Sequence, residues 1–157
     1  MELIFAKEIL LHPKDSKTNI TLPFIIESDF ERLEVHFSYA PKELKDKALS
    51  LEYINVGMKK YAPGDYRLGY KNSDEYLPVL SLITLSLDSP IGYIGCVHRH
   101  NPDQTHILSE KFSSPGFINQ KPIKGTWQAV VNVHAVVTEN CTCQIEVFGF
   151  GESEVLL

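Results

Sequence analysis

The segment GYIGCVHRHNPDQTH, residues 92–106, is the stretch of the chain whose residue types could do chemistry. His98 and His100 are two residues apart, so in an extended segment their side chains point the same way. His106 follows the turn sequence Asn101-Pro102-Asp103, and a hairpin there would fold it back beside them. Three neutral imidazoles suit Zn²⁺ with an open fourth position for water. The segment predicts a zinc site made by His98, His100 and His106.

A second interpretation of the same segment gives it a structural role. Asp103 and Glu110 are its nearest carboxylates, and neither has the spacing of a zinc ligand or a ligand-orienting partner. Histidines also occur in turns and half-exposed strands without binding a metal. This interpretation, which we favour, predicts that the segment carries the chain around a turn between two strands.

A different kind of site is indicated by tyrosines in a stretch rich in glycine and proline. Tyr61, Tyr66 and Tyr70 lie in or beside the sequence APGDYRLGY, which is typical of a long surface loop. Exposed aromatic rings on such a loop could stack on a ligand. If a ligand is bound, Tyr61, Tyr66 and Tyr70, together with Arg99, are the predicted binding residues; the alternative is that the tyrosines anchor the loop.

The three cysteines are predicted to be free thiols. Cys141 and Cys143 could form a metal site with His134, but alternation places the cysteines on the core face and His134 on the outer face of its own strand. We therefore predict that both cysteines pack in the core. An odd number of cysteines fits a reducing compartment, so the expected location is the cytoplasm.

Alternation of apolar and polar residues predicts several strands. In ERLEVHFSYAP one face carries Leu33, Val35, Phe37 and Tyr39, which predicts a half-buried strand. The clearest strand is GTWQAVVNVHAVVT, and ENCTCQIEVFGFG is predicted to pair with it as a hairpin. TNITLPFII contains a proline and is predicted to be broken or to lie at a sheet edge.

The spacing of the predicted strands favours one all-β domain over residues 1–157, an antiparallel β-sandwich or jelly roll. A single short helix is predicted around residues 42–60, with apolar residues near the helical period. These are Leu44, Ala48, Leu51 and Ile54.

Composition argues against two classes of partner. Fifteen basic and twenty acidic residues give a net charge of −5, and the basic clusters are too short to neutralise a run of phosphates, so nucleic acid is not expected. No window approaches the ~18 uninterrupted apolar residues of a membrane-spanning helix. The N-terminal apolar residues are interrupted by Glu2, Lys7 and Glu8, so a signal peptide is not expected either.

An ordered set of short motifs resembles a known family. ERLEVHFSYAP, LSLDSPIGYIGCVHRH, SSPGF and IKGTWQAVVNVHAV resemble, over residues 18–148, the β-sandwich segment that precedes the catalytic domain of PHP-type metallohydrolases of the carbaryl-hydrolase kind. His98 and Arg99 match the His-Arg of that segment, and Gly125 and Trp127 match its Gly-x-Trp. The resemblance gives none of these residues a catalytic role.

The resemblance implies a free-standing accessory domain. The family's catalytic metal ligands belong to the following domain, whose opening Asp-x-His-x-His does not occur here. We therefore expect a non-catalytic binding or accessory module without a cofactor, with a metallohydrolase or a second copy, paired through edge strands, as its protein partner. The alternative is a small zinc-dependent hydrolase that uses His98, His100 and His106.

Overall fold

A computed structural model describes residues 1–64 and 72–152. Most of the strands contain the alternating or β-branched runs that favour a pleated, half-buried surface. The elements, in chain order, are β1 (Glu2–Leu11), β2 (Thr18–Ile26), β3 (Arg32–Ala40), α1 (Lys47–Tyr61), β4 (Leu82–Ser89), β5 (Gly92–Val97), β6 (Asp103–Ser109), β7 (Gly125–Ala135) and β8 (Cys141–Phe150).

The strands form two four-stranded sheets, one in the order β1-β8-β3-β6 and the other in the order β2-β7-β4-β5. Every pairing is antiparallel. The predicted all-β antiparallel sandwich is confirmed.

The core lies between the two sheets and follows the predicted alternation. Val35 and Phe37 of β3 are buried against the inner face of the opposite sheet, where Trp127 and Val131 of β7 are buried. Burial of such side chains is the main stabilising contribution to a sandwich of this kind. The inward residues of β8 predicted from the sequence are also buried: Cys141, Cys143, Ile145 and Val147.

The predicted hairpin between the last two strands is wrong. β7 pairs with β2 and β4, whereas β8 pairs with β1 and β3, so consecutive strands lie in different sheets. The backbone amides of Val136 and Val137 donate to the side chains of Ser16 (2.9 Å) and Ser81 (3.1 Å) instead of continuing a ladder. Residues 136–140 therefore cross from one sheet to the other.

Two strands, β1 and β5, were not predicted. In β1 the register places Phe5, Lys7 and Ile9 opposite inward residues of β8, so a charged residue interrupts the apolar face. In β5 the register shifts at a bulge and two glycines replace side chains that would show the alternation. Both strands lie at sheet edges.

A chain segment covers the sheet edges on one side of the sandwich, whereas edge strands on the other side carry residues that disfavour pairing. Residues 113–120 cover the free edges of β6 and β5, because Ser114 donates to the carbonyl of Ile107 (2.8 Å) and Ile118 donates to that of Ile94 (2.9 Å). On the other side β2 is an edge strand, as its proline predicted. An exposed lysine on β1 and a proline on β2 are features that discourage pairing with another chain.

The predicted helix exists, and of its predicted apolar residues only Ala48 is exposed. It begins after Asp46, whose side chain accepts a hydrogen bond from the amide of Leu49 (3.0 Å) as an N-cap. Ser50 and Met58 are buried, and the predicted apolar residues Leu51 and Ile54 are half-buried. Within residues 1–64 and 72–152, no helix combines the length and apolar content that crossing a bilayer requires.

Candidate functional site

Several loops and one helix gather at a single end of the sandwich. The strand registers place the ends of β5 and β7 beside the starts of β2 and β4, and the chain segments that leave these strands connect the two sheets. We call this the histidine end. It comprises residues 12–17, 41–64, 72–81, 98–102 and 136–140.

His98 and His100 lie side by side at the histidine end. Both side chains are exposed, and their ring centroids are 6.3 Å apart at an interplanar angle of 87°. The ammonium group of Lys42 donates to the carbonyl of His100, which ties the segment to the connection after β3. The structure therefore brings together two of the three predicted metal ligands.

His134 is the third exposed histidine of this group, and the sequence prediction did not include it. Its ring centroid lies 5.2 Å from that of His98 in an edge-to-face arrangement. The register of β4 against β7 shifts here: Leu82 pairs with Ala135 and Ile83 with Val133, so His134 is the extra residue of a bulge. A bulge redirects a side chain, and bulges are frequent next to functional sites.

A buried threonine holds the ring of His134. Thr84 is fully buried, and its Oγ1 lies 2.9 Å from Nε2 of His134. Partial burial lowers the pKa of His134, and the neighbouring His98 lowers it further. His134 is therefore predominantly neutral at pH 7, which leaves one ring nitrogen with a free lone pair.

The hydrogen bonding continues along the outer face of the second sheet. Asn132 donates from Nδ2 to the hydroxyl of Ser86 (2.6 Å) and lies 3.9 Å from the sulfur of Cys96. These three side chains come from β7, β4 and β5 and sit next to Thr84, His134 and His98 on the same face. Rigid strands thus position a continuous polar surface.

His106 does not join the other two predicted ligands. Its side chain is 0% exposed, packs with its ring centroid 5.5 Å from that of Phe117, and lies with Nε2 2.9 Å from Oε1 of Gln104. Burial, followed by the charge of Arg99, lowers its pKa to about 4. The predicted grouping of His98, His100 and His106 is not formed, because alternation along β6 turns His106 into the core.

His106 instead supports the loop that carries the other histidines. The side-chain oxygen of Gln104 faces His106. The side-chain nitrogen Nε2 of Gln104 donates to the carbonyl of Asn101 (2.5 Å) and lies 3.5 Å from the carbonyl oxygen of Arg99. With the Gln104 oxygen on this side, Nε2 of His106 carries the proton, and Nδ1 is left buried without a partner. The histidine therefore fixes Gln104, and Gln104 fixes the loop.

Two of the predicted ligand-binding residues lie at the histidine end. Tyr61, at the end of α1, is 70% exposed, and hydrogen bonding with Lys60 lowers its pKa, with the charge of Lys17 adding to the effect. Lys17 donates its backbone amide to the carbonyl of Val133, the neighbour of His134. Arg99 is exposed between His98 and His100. Tyr66 and Tyr70 lie outside the described residues.

The two cysteines of β8 behave as core residues. Both are fully buried, and burial raises the pKa of Cys141 and that of Cys143, the latter to about 12. Neither is paired in a disulfide. Across residues 1–64 and 72–152, no three His, Cys, Asp or Glu side chains are arranged, as they stand, to hold a metal ion.

The sequence contained part of the signal for His134. Alternation along GTWQAVVNVHAVVT places His134 on the outer face, which is correct. The pairing of that face with His98 depends on β5 being a strand next to β4, and on the bulge in the pairing of β4 with β7. Neither feature can be deduced from the alternation of a single strand.

Comparison with known proteins adds no family assignment. No protein-family model matches the chain. No curated protein matches it at a significant level.

Proposed function

We propose that this chain is a non-catalytic binding module that contacts its partner through the histidine end. The observation that carries the proposal is that Tyr61 and Arg99, predicted to bind a ligand, lie at the same end as His98 and His100. The ends of β-sandwiches are where loops held by a rigid scaffold commonly form binding surfaces.

The surface at this end is held in place before any partner binds. Gln104 and Lys42 fix the 98–102 loop through its carbonyl groups, and Thr84 fixes His134. Such preorganisation reduces the entropy that binding must offset. Exposed Tyr61 and Arg99 supply residue types that are enriched where protein interfaces contribute most of their affinity.

The partner that we propose is a metallohydrolase supplied by another chain. This choice rests on the resemblance of residues 18–148 to the segment that precedes a metallohydrolase domain. The site's mixture of imidazole, guanidinium and phenol groups offers hydrogen bonds to carboxylates and carbonyls of such a partner. The ligand of the site is otherwise unassigned.

Affinity capture with matched variants tests the proposal. The wild-type chain, the double variant Tyr61→Ala, Arg99→Ala and the control Tyr93→Ala would be used to capture proteins from the source organism, with mass spectrometry identifying them. Tyr93 is 63% exposed but lies at the start of β5, at the opposite end of the sandwich. A metal-dependent hydrolase should be captured by the wild type and the control and lost with the double variant.

Two results of the capture experiment would overturn the proposal. Capture of no partner, together with turnover of an ester or phosphoester by the pure chain, would show that the chain is itself an enzyme. Equal capture of the metallohydrolase by all three chains would exclude the histidine end as its contact surface.

The alternative function, a zinc-dependent hydrolase that uses His98, His100 and His106, has less support. His106 would have to leave a fully buried position and break its bond to Gln104 to reach an ion held by the other two. Metal analysis of protein purified without added zinc separates the two, since catalytic zinc sites normally retain their metal. Near-stoichiometric zinc that is lost in the double variant His98→Ala, His100→Ala but retained in His134→Ala would favour the hydrolase.

A further inference from the structure

The rings of His98 and His134, which meet edge to face, form a pair that the sequence did not predict. We propose that these two histidines chelate a divalent transition metal ion such as Zn²⁺, and that His100 closes on the bound ion as a third ligand. This exchangeable surface site lies within the histidine end, but its existence does not rest on the proposed partner binding. It differs from the predicted group because His134 takes the place of His106.

The separation of the two ring centroids is compatible with a shared ion, although the rings meet edge to face at 80°. An imidazole nitrogen lies about 2.0–2.1 Å from Zn²⁺, so the ring centroid lies about 3.2 Å from the ion. Two rings at a tetrahedral angle of about 109° then have centroids about 5.2 Å apart. The centroids of His98 and His134 are 5.2 Å apart.

Thr84 prepares His134 for this role. Its hydroxyl oxygen lies 2.9 Å from Nε2 of His134, so a proton on Nε2 can be donated to it while Nδ1 keeps a free lone pair. A metal-binding histidine typically uses its second ring nitrogen in this way, which fixes both the tautomer and the ring orientation. Thr84 is fully buried, so its hydroxyl oxygen is held in a fixed position and does not bond to solvent.

The local backbone also favours the pair. His134 is the extra residue of the bulge between β4 and β7, and His98 directly follows β5 on the other side of β4. The bulge and Thr84 therefore position His134 above β4, within reach of His98. All three histidines are exposed, so an ion can reach them from solvent.

His100 must move to complete the site. Its ring centroid is 6.3 Å from that of His98, about 1 Å more than the tetrahedral separation, so the three rings do not form a metal-binding group as they stand. The backbone of His100 is held by Lys42, but its exposed side chain is free to change rotamer. We expect the ion to bind His98 and His134 first and His100 afterwards.

Calorimetric titration with ZnCl₂ tests the site in the full chain after treatment with a chelator. We expect one ion per wild-type chain, with affinity lowered at least about tenfold in His98→Ala and in His134→Ala. The matched control is His36→Ala, whose imidazole lies in the other sheet with Nε2 2.8 Å from Oε1 of Glu34, and which should leave the affinity unchanged. Retention of wild-type affinity by both His98→Ala and His134→Ala, or no binding at all, would overturn the proposal.

Resonances of the imidazole groups identify the ligands directly. Zn²⁺ should shift the signals of His98, His134 and His100 and leave those of His36 and His12 in place. Thr84→Val should weaken binding about tenfold and move the ¹⁵N shifts of His134 away from those of a single Nε2-protonated tautomer. Shifts confined to His36 or His12, or unchanged affinity in Thr84→Val, would contradict the proposed site.

Discussion

Replacement of His106 should change how the stability of the chain depends on pH. The imidazole is fully buried and neutral, with a pKa lowered to about 4 by burial and by the charge of Arg99. In the unfolded chain its pKa returns to about 6.5. Between pH 6.5 and 4 the unfolded state therefore binds a proton that the folded state does not, so stability falls as the pH falls.

The size of the effect follows from the two pKa values. The shift from 6.5 to about 4 means that His106 alone removes about 2.5 kcal/mol of stability between pH 7 and pH 4.5. His106→Leu should cost about 1–3 kcal/mol at pH 7, because Oε1 of Gln104 loses its donor. At pH 4.5 that cost should have vanished or reversed, since leucine does not titrate.

Urea unfolding of both chains at several pH values measures this difference. Trp127 is the single tryptophan and is buried, so its fluorescence reports loss of the core. The stability contributions of the carboxylates are common to both chains and cancel in the difference, because the contacts of His106 are with Gln104 and Phe117. Parallel pH profiles, with a difference constant within about 0.5 kcal/mol, would refute the buried neutral state of His106.

Three further outcomes follow from the packing. Of the three cysteines, Cys96 alone should react with a thiol reagent in the native chain and all three after unfolding; rapid labelling of all three in native protein would contradict their burial. Gly95→Ala should lower the free energy of unfolding by at least about 2 kcal/mol, because φ of Gly95 is +149° and an added Cβ would meet the carbonyl of Gly116. The control Gly57→Ala, which has open space around it, should leave the free energy of urea unfolding unchanged. Lys7→Val should increase self-association through the edge strand β1. An unchanged sedimentation coefficient would show that Lys7 does not prevent pairing of this edge with a second chain.

The sequence predicted the class of fold because the inner strands alternate strictly. β3 and β7 are flanked by other strands and buried on one face, so each apolar residue has an inward position. β1 was missed because the exposed Lys7, paired with Ile145, interrupts the apolar residues Phe5 and Ile9 on the same face. The helix α1 was predicted from Leu51 and Ile54, which are half-buried, but burial of the polar Ser50 could not be read from apolar periodicity.

Part of the candidate site could be predicted from residue types, whereas the rest depends on how the strands pair. Exposed histidines near a turn could be recognised from residue types, and His98 and His100 do lie together. The separation of His106 from them depends on the pairing of β6 with β3, which turns that side chain inward. The approach of His134 depends on contacts between strands distant in sequence, which local patterns do not encode.

Position-specific photo-crosslinking tests the binding role of the histidine end most directly. A photoreactive phenylalanine analogue would replace Tyr61 in one preparation and Tyr93 in another, since both side chains are exposed, at 70% and 63%, but lie at opposite ends of the sandwich. We predict covalent adducts with a metallohydrolase partner from position 61 and none from position 93. Adducts from position 93 alone, or from both positions equally, would contradict the account.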